Sequence, residues 1–182
     1  MKVTNAKVPM LGFAALSGTG KTTLLLKLLP LLQARGYRIG MIKHAHHNFE
    51  IDHAGKDSYA LRKSGIEQIV IGSRHRWAYI VEHHDAKEPS LNQLLGELKQ
   101  ERLDLILVEG FKHESIPKIE LHRPSLGRAL LYPDDQAIIA IAHDAPRAIP
   151  TDLPQLNINN TDSIADFITT FVTNFSRKPG SA

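Results

Sequence analysis

The run Ala15-Leu16-Ser17-Gly18-Thr19-Gly20-Lys21-Thr22-Thr23 holds residue types that grip phosphate. Glycines at 18 and 20 let the backbone approach an anion with no Cβ in the way. Backbone N–H groups across Gly18–Lys21 can wrap phosphate oxygens, with the positive end of a following helix behind them. Lys21 can then reach the β- and γ-phosphates, and the Thr22 hydroxyl can ligate Mg²⁺. Ser17, Thr19 and Thr23 complete the nucleotide-contacting candidates of this loop. One position departs from the strict phosphate-loop pattern: Ala15 stands where the leading glycine is usual. Nucleotide binding with a metal is the chemistry that this spacing serves.

A second carboxylate-bearing segment, Asp104-Leu105-Ile106-Leu107-Val108-Glu109-Gly110, reads as a buried strand that delivers Glu109 at its C-terminal end. A carboxylate there can hold Mg²⁺ directly or through water, opposite Thr22. Lys21 and Glu109 are thus the catalytic candidates, and Thr22, Glu109 and Asp52 the metal candidates. Asp52 and Asp57 lie in a loop that in many phosphate-loop proteins touches the metal or the γ-phosphate; either can equally be a solvated cap. Asp144, after an apolar run, is placed to accept from a guanine ring, although turn chemistry before Pro146 explains it as well. No Asn-Lys-x-Asp guanine motif occurs. His44, His46 and His47 can hold a metal, meet an anion together with Lys43, or form a solvated loop.

These residues need a sheet to bring them together. Val8–Ala15 is nearly all apolar, as a strand buried on both faces should be. Lys21–Arg35 follows as a helix stopped by Gly36, with Pro30 expected to kink it. Tyr37–Ile42 is a second strand, and Asp57–Ser64 a short helix closed by Gly65. Gln68–Ile71 and Trp77–Val81 read as a hairpin, an insertion beyond a minimal βαβ unit. Pro89–Arg102 is expected to be helical, with Leu91, Leu94, Leu95 and Leu98 on one face. Leu103–Val108, Lys118–Leu121 and Ala137–Ala142 are further strands, and Pro146–Pro154 is a loop. The last helix has Thr161 as its expected cap and Ile164, Phe167, Ile168, Phe171, Val172 and Phe175 on one face. The expected fold is α/β: a mainly parallel sheet of the P-loop NTPase type, flanked by helices, with an extra β-hairpin insertion. Ligands of such sheets sit beyond the strands' carboxyl ends, which groups Ser17–Thr23, His44–His47, Glu109–Lys112 and His143–Asp144.

The 182 residues fit one domain over 1–176, with the insertion at 66–84 and a disordered tail at 177–182. The apolar share of 42% and charged share of 23% are ordinary for a globular chain. A formal net charge of +3 with no Lys/Arg block does not call for nucleic acid as a partner. The absence of cysteine removes disulfides, thiolate metal sites and cysteine nucleophiles. Met1–Lys7 carries no apolar signal core, and Leu24–Leu32 is too short for a membrane span, so a cytoplasmic setting without a membrane is expected.

Ser17–Thr23, Ile42-Lys43-His44-Ala45-His46-His47, Gly55–Tyr59, Arg76-Trp77-Ala78 and Leu103–His113 form a joint pattern. From Pro9 to the last helix the chain resembles the MobB family of molybdopterin-guanine dinucleotide biosynthesis adapters, with which Ala15 is compatible. The resemblance implies a GTP-binding, Mg²⁺-dependent protein of weak GTPase activity. Such a protein assists the molybdopterin guanylyltransferase, which attaches GMP to molybdopterin, alongside other molybdenum cofactor assembly enzymes. It also implies a homodimer, for which the strands of Gln68–Val81 are candidate interface. The residues alone leave two rivals open. One is a small-molecule kinase whose acceptor meets Lys43, His44 and Lys112, although no compact lid segment stands out. The other is a nucleotide-driven metal-insertion chaperone that uses the histidines. Arg74 and Arg76 can act on the phosphates only where fold or dimer brings them close.

Overall fold

The computed structural model describes residues 3–45, 49–83 and 87–176. It divides into a larger unit, built from the chain before Ala45 and after Pro89, and a smaller one from Ala45 to Pro89.

Six strands of the larger unit form one parallel sheet: Met10–Ala15 (β1), Ile39–Lys43 (β2), Leu105–Glu109 (β5), Lys118–His122 (β6), Ile138–His143 (β7) and Gln155–Asn157 (β8). Their order is β2-β5-β1-β6-β7-β8. β1 lies between β5, with Phe13 opposite Glu109, and β6, with Ala15 opposite Leu121. The end of β1 therefore lies between the carboxyl ends of β5, which carries Glu109, and β6, while Asp144 follows β7, the next strand beyond β6. Successive residues of β5 serve opposite faces, as the strand period of two requires. Leu105 and Leu107 join Leu25, Leu28, Leu32, Ile164 and Ile168 in one core. Ile106 and Val108 join Met10, Ile42, Leu91 and Leu95 in another.

Helix Lys21–Ala34 (α1) and helix Thr161–Ser176 (α4) supply the first of those cores. α1 runs on through Pro30, so the residue does not end the helix. Gly36, at φ +89°, then stops it, with its N–H donating to the Gln33 carbonyl and that of Tyr37 to Leu32. At α4 the cap is Asn160, not Thr161: its Oδ1 accepts from the Ser163 N–H at 3.1 Å, which leaves Thr161 as the first helical residue.

The second face is covered differently from the expectation. Instead of one helix over Pro89–Arg102 there is a short helix, Leu91–Gly96 (α3), and then a single 3₁₀ turn, Gln100–Arg102. Gln100 explains the break. Its buried amide donates to the carbonyls of Asn5 and Leu95 and accepts from the Lys7 N–H, so the chain leaves the helix to pin the N-terminal segment. β8 was also not expected. Three polar-flanked residues carry little strand signal, and pairing with β7 is what holds them extended.

The smaller unit contains helix Asp57–Lys63 (α2) and the antiparallel pair Gln68–Gly72 (β3) and Trp77–Val81 (β4). The insertion is thus wider than the hairpin alone. Arg62 is its internal tie: Nη1 bonds Glu82 at 2.6 Å and Nη2 bonds Glu50, while Lys63 reaches Glu50 at 3.0 Å. Among the described residues no helix is long and apolar enough to cross a membrane.

Candidate functional site

β1 ends at Ala15, and the chain turns through Leu16–Gly20 into α1. Two residues make that turn possible. Gly18 (φ +84°) and Gly20 (φ +93°) occupy the left-handed region, and a Cβ on Gly18 would meet nothing within 4 Å. The loop surface around Gly18 is therefore open to a ligand. Thr19 points the other way: its buried hydroxyl donates to the Leu16 carbonyl at 2.7 Å and its N–H donates there at 3.3 Å. Its side chain shapes the loop. No side chain caps the N-terminus of α1, and its first turn has no acidic residue. The first-turn N–H groups of Lys21, Thr22 and Thr23, with the exposed Ser17 before them, thus form an anion-seeking end.

Lys21 reaches across the end of β1 to β5, where its Nζ lies 3.3 Å from Glu109 Oε1. Lys43, at the end of β2 and paired in register with Glu109, sets a second ammonium 3.9 Å from Oε2. Glu109 is therefore a nearly buried carboxylate between two cations. Its backbone is fixed too, because the His44 N–H donates to the Glu109 carbonyl at 2.8 Å. The His44 ring lies 5.1 Å from that of Phe111. A threonine hydroxyl and a carboxylate are hard oxygen donors of the kind Mg²⁺ takes, so Thr22 and Glu109 fit that ion.

Asp144 follows β7 and lines a cavity of about 520 Å³ with Arg147, Asn157 and Asn159. Its carboxylate is held by Arg123. Arg123 carried no motif in the sequence. Its signal was positional: it comes directly after Lys118–His122, at the carboxyl end of the strand beside β1.

Asp52 belongs to the smaller unit, where its Oδ1 accepts from the His53 N–H at 3.0 Å. Arg74 and Arg76 are in the same unit, around the β3–β4 turn closed by a 2.7 Å bond from Ser73 N–H to the Arg76 carbonyl. His46, His47 and His84 lie outside the described residues, as does the 177–182 tail. Among the described residues no group of three His, Asp or Glu side chains suits a metal.

A family model described as molybdopterin guanine dinucleotide synthesis protein B, MobB, matches residues 10–144. The molybdopterin-guanine dinucleotide biosynthesis adapter protein of Escherichia coli K12 is 49% identical over 162 residues, 88% of this chain and 91% of that protein. Its namesake in Haemophilus influenzae is 42% identical over 172 residues, 94% of this chain and 93% of that one. The crystal structure of Bacillus subtilis MobB superposes with a TM-score of 0.69 at 20% identity, covering 90% of this chain and 97% of that one. A MobB homolog from Bacillus stearothermophilus gives 0.67 at 21%, over 91% and 98%. These two likenesses establish the fold.

Proposed function

The chain belongs to the MobB family, and from that premise we propose that it is a GTP-binding adapter in molybdopterin guanine dinucleotide biosynthesis. The observation that carries the nucleotide site is the cradle itself: an uncapped helix N-terminus behind two left-handed glycines, with Lys21 extended toward Glu109. GTP is the ligand proposed, with Mg²⁺ held by Thr22 and Glu109. When bound, the ion would neutralise phosphate charge. Lys21 and the first-turn N–H groups would bind the phosphates, and Glu109 would hold the Lys21 ammonium in place. Arg123 is engaged with protein acceptors, so hydrolysis leans on Lys21 and backbone dipoles, and slow turnover follows. The partner proposed is the molybdopterin guanylyltransferase, met by a homodimer in the cytoplasm.

The test is competition of a fluorescent nucleotide by GTP and by ATP with Mg²⁺, with turnover recorded in the same samples. GTP should win, turnover should be slow, and Lys21→Ala should weaken GTP about 10- to 100-fold. Pull-down of the guanylyltransferase should depend on GTP. Preference for ATP, or turnover accelerated by a small acceptor, would make the protein a kinase instead.

A further inference from the structure

Arg123 joins three segments that approach the crevice from different parts of the chain. Its Nε donates to the Thr19 carbonyl of the phosphate loop at 3.1 Å. Its Nη1 bonds the Asp144 carboxylate, and its Nη2 donates to Asn159 Oδ1 at 3.1 Å. Thr19 lies 104 residues from Arg123 in sequence, Asp144 lies 21 and Asn159 lies 36. A Cβ on Gly20 would lie 4.0 Å from the guanidinium Nε, so the group sits directly beside the loop.

The backbone under Asp144 is fixed independently of Arg123. The Ala145 N–H donates to His143 Nδ1 at 3.1 Å, which puts the ring proton on Nε2, facing Gln155 Oε1 at 3.0 Å. Gln155 in turn exchanges two bonds with the Ile149 backbone, both 2.8 Å. With the main chain held from that side, the direction of the Asp144 carboxylate depends on the guanidinium that grips it. A planar fork meets three acceptors in fixed directions, which a lysine ammonium on a flexible stem does not reproduce.

We infer that Arg123 is a positioning residue for base selectivity: it aims Asp144 and Asn159 at the purine while registering them against the phosphate loop. The inference rests on the GTP reading above and adds to it the residue on which guanine preference depends. Arg123 does not touch the reacting atoms, so its signature is a change in which nucleotide binds, not a uniform loss of binding.

The experiment measures equilibrium binding of GTP, ATP and inorganic tripolyphosphate, each with Mg²⁺. The proteins are the full chain, Arg123→Ala, Arg123→Lys, Asp144→Asn and the Arg123→Ala/Asp144→Asn pair. The GTP-to-ATP preference should fall about tenfold in Arg123→Ala and in Asp144→Asn, the scale of one charge-assisted contact. Arg123→Lys should not restore it, and the paired variant should lose no more than the worse single one. Tripolyphosphate has no base, so its affinity should change less than that of GTP. A fold defect would lower all three ligands together. Should Arg123→Ala not fold, the charge-keeping Arg123→Lys carries the same ratio test. Two results overturn the inference alone: wild-type preference retained in the Arg123 variants while Asp144→Asn loses it, or additive losses in the pair. A wild type that binds GTP and ATP equally sinks the GTP reading and the inference together.

Discussion

Gly110 immediately follows Glu109 and takes φ +96°, a conformation that L side chains rarely adopt. A Cβ there would lie 2.8 Å from His44 Cβ and 2.9 Å from the His44 carbonyl oxygen, and backbone cannot step aside cheaply. Gly36 has nearly the same φ, +89°, but an added Cβ would meet nothing within 4 Å. The pair separates strain from collision. Gly36→Ala should cost about 1–2 kcal/mol, the left-handed term alone. Gly110→Ala should cost about 2–5 kcal/mol, with crowding added, and should also displace Glu109 and weaken Mg²⁺-dependent nucleotide binding. Urea melts of the two variants check this, and equal losses would remove the collision argument. At this scale the phosphate loop was readable because Gly18, Gly20, Lys21 and Thr22 are contiguous. Arg123 was not, since the Thr19 carbonyl it serves is fixed by the fold and leaves no trace in residue type.

The strands were legible wherever apolar residues run without a break, as in Leu105–Val108. They were not legible where pairing alone makes the element, as in Gln155–Asn157. The shortened α3 shows the same limit, because its leucine spacing fits a helix that the buried Gln100 amide interrupts. Between β2 and β5, one contact controls how the elements begin. Arg38 Nε and Nη2 fork onto Asp104, the Arg38 N–H donates to the same carboxylate, and the Asp104 N–H returns a bond to the Arg38 carbonyl. The Arg38 side-chain and backbone bonds hold the Asp104 carboxyl down at about 2, against an ordinary 3.8. The folded state therefore favours the ionised form. Its contribution is full above pH 3.8 and is lost as pH falls through about 2. Glu120 has the opposite sign. Burial raises its carboxyl, despite bonds from the Leu131 and Tyr132 N–H groups, so its contribution is full below 4.5 and declines as pH rises through the raised value. Asp104→Asn isolates the first effect. Its melting temperature should lie below wild type at pH 6, and the two curves should converge toward pH 2, measured by calorimetry across that series. Curves that stay parallel would show that the fork does not couple folding to the Asp104 proton.

The larger unit has its own cores, so the apolar surface of the smaller unit asks for a different explanation. In the β3–β4 register Val70 pairs with Tyr79 and Gly72 with Trp77, which sets Val70, Tyr79 and Trp77 on one face of the ribbon. These side chains are 64%, 43% and 63% exposed. A two-stranded ribbon is marginal in water by itself, and three large apolar side chains on one face are a surface that association would cover. The family resemblance implies a dimer with these strands as a candidate interface, and the exposed face is what that expectation would use. A second copy is the occupant proposed, because a two-fold contact would set the same three residues against themselves and cover both ribbons at once. Val70→Glu/Trp77→Glu should then convert a dimer into a monomer in sedimentation velocity, since two like charges per copy would face two more across the axis. GTP binding should persist in that monomer, because the phosphate cradle belongs to the larger unit. A wild-type chain that sediments as a monomer, or a charged variant that still sediments as a dimer, would move the interface elsewhere and leave this face for the partner enzyme.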